Sequence, residues 1–105
     1  MLEKDQSCAV WMRDEEIFVT YGTEPERHEE FISLGAIAGI TVEHYGIFHW
    51  YLLHSTGWTL HFNEEFSGAA VVAAELSNRL GFKLPIAEEI GRNGTILWGK
   101  GVNQW

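Results

Sequence analysis

The sequence predicts an α+β domain: a strongly curved antiparallel sheet of about six strands packed against one main helix, Ser67 to Leu80, with a short C-terminal extension. Three observations carry that expectation. Short β-rich runs separated by turn residues fill the chain from Cys8 to Asn63, which is the pattern of an antiparallel meander. From Ser67 onward the apolar residues recur at helical spacing. The length of 105 residues, 46% hydrophobic and holding five Trp, three Tyr and six Phe, suffices for one core and leaves little room for a second.

Taken in order, Cys8–Met12 and Ile17–Tyr21 read as a hairpin whose four-residue connection is Arg13-Asp14-Glu15-Glu16. Gly22-Thr23-Glu24-Pro25 breaks the pattern. Glu30–Leu34, Gly39–His44, Ile47–His54 and Trp58–Asn63 follow as strands three to six. A three-residue loop, Ser55-Thr56-Gly57, sets Trp50 opposite Phe62 and Leu52 opposite Leu60 on an apolar inner face. The same register pairs Tyr51 with His61 and His49 with Asn63 on an open outer face.

In the helix, Ala69, Val72, Ala73, Leu76 and Leu80 form the stripe that meets the core, Ser67 is the N-cap and Gly81 the stop. Ala70, Val71 and Ala74 lie on the back, which leaves a second packing surface as the alternative to the preferred reading of small residues there as helix formers. Pro85 starts a short helix through Glu88 and Glu89, Asn93-Gly94 is a turn, Thr95–Trp98 is a candidate strand, and Trp105 docks on the sheet. The whole chain, 1–105, is one domain, with its core in 8–82 and the extension in 83–105.

Strands closed by a helix, with the stretch Phe31-Ile32-Ser33-Leu34-Gly35-Ala36-Ile37-Ala38-Gly39-Ile40 and later Ala73-Ala74-Glu75-Leu76, resemble bacterial pleckstrin-homology-like domains over residues 8–82. The chain departs from that family in strand count and in its extension. It also lacks the basic loop that holds lipid headgroups, so the resemblance implies a fold and not lipid binding.

Fifteen Asp and Glu against seven Lys and Arg give a net charge of -8. That balance argues against nucleic acid and against anionic membranes as partners, and it favours cationic proteins. Cys8 is the only cysteine, so no intrachain disulfide forms. With no apparent signal peptide, the expected compartment is the cytoplasm.

Of the five histidines, His49 and His61 become diagonal neighbours on the expected outer face, yet no third ligand accompanies them, so no metal site is assigned. Cys8 sits in an apolar run without an orienting group, Glu43 and His44 alternate to opposite faces, and no phosphate-binding glycine loop is present. No enzyme activity and no cofactor are therefore expected. The expected function is a small acidic binding protein of the immunity or inhibitor type, neutralising a basic partner such as a toxin. The residues chosen for binding are Asp14, Glu15, Glu16, Glu24 and Glu26 in the loops and His49, Tyr51 and His61 on the open face. The alternative is a pleckstrin-homology-like accessory domain that mediates assembly.

Overall fold

The structure is a computed structural model and describes residues 8–22, 26–84 and 95–99. Alternating apolar residues produce strands β1 (Ala9–Arg13), β2 (Glu16–Tyr21) and β3 (His28–Ser33), then β4 (Gly39–Tyr45), β5 (Phe48–Ser55) and β6 (Trp58–Asn63). Helix α1 (Ala69–Leu80) and strand β7 (Thr95–Gly99) follow. The fold is α+β, but two antiparallel sheets stand where one strongly curved sheet of six strands was expected. One sheet has the order β1-β2-β3 and the other β6-β5-β4-β7. The division falls between β3 and β4, where a single 3-10 turn, Leu34–Ala36, intervenes and the outer edge of β4 is taken by β7.

The core lies between the inner faces of the two sheets and the helix. Val10, Ile17, Val19 and Ile32 from the first sheet meet Ile40, Leu53, Leu60 and Phe62 from the second, and Ala69, Val72 and Leu76 close one side. Inward residues alternate along each strand because side chains on a pleated strand point to opposite faces. Leu76→Ala is expected to cost about 2 to 5 kcal/mol, since it opens a cavity at a fully enclosed site. Ala74→Ser, on the exposed back of α1, is expected to cost under about 1 kcal/mol. Thermal unfolding of the two variants checks both values, and a large loss from the serine would reveal packing on the helix back.

Several expectations need correction. The first hairpin closes through a two-residue turn, Asp14-Glu15, with Arg13 opposite Glu16, so Arg13 and Glu16 belong to the strands. Asp14 adopts φ 57, the left-handed conformation that Asp tolerates better than most residues. The β5–β6 hairpin also closes through two residues, Thr56-Gly57, which moves the register by one. Tyr51 pairs with Phe62 and Leu53 with Leu60 on the core face, whereas Trp50 and Leu52 are on the other face of the sheet, opposite the buried Asn63 and the exposed His61. The helix begins at Ala69 with Gly68 at its N-cap, because Ser67 pairs through its backbone with β1. The expected helix from Pro85, the Asn93-Gly94 turn, Trp105 and the candidate Glu24 lie outside the described residues.

Candidate functional site

The acidic candidates occupy separate places. Asp14 and Glu15 are exposed in the β1–β2 turn, and Glu16 is half-buried in β2. Glu15 is held in place by its carbonyl, which accepts the Leu34 N–H at 2.9 Å. Glu26 is exposed at the other end of the same sheet, roughly 17 Å away along a strand of this length. Beside it, the Tyr21 hydroxyl donates to Glu30 at 3.0 Å and the Tyr21 ring stacks on His28. The hydrogen bond to Glu30, then burial and the charge of Glu30, push the Tyr21 hydroxyl above its ordinary pKa.

The shifted register disperses the open-face trio. Tyr51 turns inward and stacks on Phe62 at 5.2 Å, and burial followed by the charge of Glu64 pushes its hydroxyl pKa up. His61 points outward, edge-on to Trp50 at 5.4 Å. His49, on the opposite face of β5 from the Trp50 side, stacks on His44 at 4.8 Å and bonds Glu64 through its ring at 3.2 Å and through its backbone N–H. Burial alone would raise the Glu64 pKa, but hydrogen bonds from His49 and its charge bring it below the ordinary value. His49 and His61 therefore share no face, and among the described residues no group of three or more His, Cys, Asp or Glu is placed to hold a metal.

On the outer face of the four-stranded sheet, His54 stands between two hydroxyls, Thr41 Oγ1 at 2.9 Å from Nε2 and Thr59 Oγ1 at 3.3 Å from Nδ1. Burial lowers the His54 pKa, and the charge of Glu43 opposes the shift. Because the folded value is depressed, the neutral ring contributes stability above the unfolded pKa of about 6.5, and that contribution is lost as pH falls through the folded value. His54→Gln is expected to flatten the decline of Tm between about pH 7 and 5. Parallel Tm profiles for the variant and the natural chain would assign the decline to another group. Next to this network, Tyr45, Trp50, Leu52 and His61 line a shallow recess of about 400 Å³.

A second cavity, of about 390 Å³, lies between β1 and α1 and is lined by Trp11, Met12, Asp14, Val71, Glu75 and Arg79 among others. Here the acidic turn meets the helix back. Val71 is 74% exposed, and Arg79 is already paired with Glu75 at 3.0 Å, which leaves the Asp14 carboxylate as the charge that sets the sign of the groove. Asp14 and Val71 are far apart in the sequence, and the approach of α1 to β1, where Ser67 pairs with β1, brings both to one cavity. The outer face of the first sheet carries a further row, Trp11, Phe18 and Phe31, stacked at 5.6 and 5.7 Å, with the Arg13 guanidinium 5.2 Å from the Phe18 ring.

Comparison with known proteins finds no matching family, no similar curated protein and no similar solved structure.

Proposed function

We propose that this protein is a binding module for a basic protein, of the immunity or inhibitor type that neutralises a toxin. The observation that carries the reading is the β1–α1 groove, whose lining includes both Asp14 of the acidic turn and exposed Val71. Apolar surface beside a carboxylate suits a cationic protein, because the charge steers encounter and the apolar contact slows dissociation. The net charge of -8 extends the same field over the molecule.

The test is to retain a partner from cytoplasmic extract on the immobilised protein and to follow its association at low and high salt. The double variant Asp14→Asn, Glu15→Lys is expected to slow association about tenfold or more at low salt and to flatten the salt dependence, leaving the circular dichroism unchanged. A retained partner indifferent both to salt and to these substitutions would defeat the proposal.

The accessory-domain reading is favoured by a different observation, the stacked aromatic row in which Phe31 is 54% exposed. Such a row on an outer sheet face suits self-assembly. Sedimentation of the natural chain and of Phe31→Ser tests it: a concentration-dependent oligomer dissolved by the serine supports assembly through this row, and a monomer in both cases excludes self-assembly through it.

A further inference from the structure

We infer that the outer edge of β1 accepts an extended basic peptide segment of the partner as an additional strand, an inference that rests on the binding reading above. Among the described residues β1 is the edge strand of its sheet, with β2 as its neighbouring strand on one side. Its pairing fixes which backbone groups face outward: Trp11 and Arg13 alternate with residues whose N–H and C=O point away from β2. The first part of that edge is already used in this way. Ser67 donates its N–H to the Cys8 carbonyl at 2.9 Å and accepts the Val10 N–H at 2.8 Å, which makes it a one-residue strand parallel to β1. The chain then leaves the edge at Gly68 to begin α1.

Beyond that point Met12 is the next residue with outward backbone groups, and its surroundings are the β1–α1 cavity. An extended chain seated there exchanges two main-chain hydrogen bonds with Met12, as a neighbouring strand does. Trp11 and Val71 offer that chain apolar contacts in the cavity, and Asp14 and Glu75 offer carboxylates. Among the described lining residues Glu75 is paired with Arg79, which leaves Asp14 as the remaining charge. This selects a Lys- or Arg-bearing segment. A second copy of this chain would bring another net charge of -8 to the same edge, which repels.

The experiment is a fluorescence-anisotropy titration of the full chain with labelled octapeptides: alternating Lys and Val, alternating Glu and Val, and the Lys peptide N-methylated at either its odd or its even nitrogens. Only alternate nitrogens of an added strand face β1. The Lys peptide is expected to saturate the protein, the Glu peptide to bind at least about tenfold more weakly, and one methylated isomer to lose about tenfold while the other does not. Val71→Lys and Asp14→Asn are each expected to weaken the Lys peptide about tenfold, which places it in this groove. Met12→Pro removes the outward N–H at a position where an edge strand tolerates proline, and is expected to act as the methylation does. Since methylation alters only the peptide, a failure of Met12→Pro to fold leaves the test intact. If both methylated isomers bind as well as the parent, strand addition is overturned while the basic-partner reading stands. Equal binding of Lys and Glu peptides, or no binding of the Lys peptide, overturns the inference, and equal binding also removes the charge argument beneath the proposed function. A dimer that Met12→Pro dissolves would give the edge to a second copy and likewise overturn it.

Discussion

Leu60→Asp is expected to leave little or no folded protein at room temperature, whereas Thr59→Asp, one residue earlier, is expected to keep the fold with a loss under about 1 kcal/mol. Leu60 is fully enclosed, opposite Leu53 and in the layer where β6 meets β2 and β3. Among the described residues the core around that site is apolar, and burying an unpaired carboxylate in it costs several kcal/mol, a large share of the roughly 5 to 15 kcal/mol that holds a domain of about this size together. Thr59 points to the outer face beside His54, where a carboxylate keeps much of its water. The companion pair on β5 tests the register itself: Leu53→Asp should behave like Leu60→Asp, and Leu52→Asp should be milder. Thermal melts of the four variants decide the matter. Equal losses within either pair would mean that the strand's inner and outer faces are misassigned.

That pair of strands also shows what was legible in advance. On β6, Leu60 and Phe62 alternate with Thr59 and His61, so the polarity names the inner face without help. On β5 no such contrast exists, because Phe48, Trp50 and Leu52 on one face compete with Tyr51 and Leu53 on the other. The choice then falls to the turn, and Gly57 at φ 87 fits a two-residue loop as well as the third position of a longer one. One residue of turn length carried Tyr51 from the supposed open face to the core and separated His49 from His61. The helix stripe Ala69, Val72, Ala73 and Leu76 was readable because it keeps the helical period and closes on Gly81. The division into two sheets was not, since which strands pair depends on contacts distant in sequence, such as β7 with β4. The candidate groove was half legible: the acidic turn and the apolar helix back were each visible, but their meeting depends on a backbone pairing between Ser67 and β1 that no side-chain pattern announces.

Gly68→Ala is expected to destabilise the protein by about 3 kcal/mol or more, far beyond Gly81→Ala at the other end of the same helix. Both glycines cap α1 in the left-handed region, at φ 87 and φ 79. For an alanine that conformation alone costs roughly 1 to 2 kcal/mol. The difference lies in what a side chain would meet. At Gly81 nothing stands within 4 Å, but at Gly68 a Cβ would collide with the carbonyl oxygen of Val10. Backbone at that point cannot yield cheaply, because Val10 and Cys8 are tied to Ser67 by two hydrogen bonds and Val10 is enclosed in the core. Relief requires α1 to move away from β1, which breaks those bonds and loosens Val72 and Ala69 from their contacts. Gly81→Ala therefore isolates the conformational cost, and the excess at Gly68 measures the close approach of helix and strand that builds the groove. Denaturant melts give both values. Similar losses in the two variants would show that Val10 and Gly68 are not in close approach, and the β1–α1 groove would lose its geometric basis.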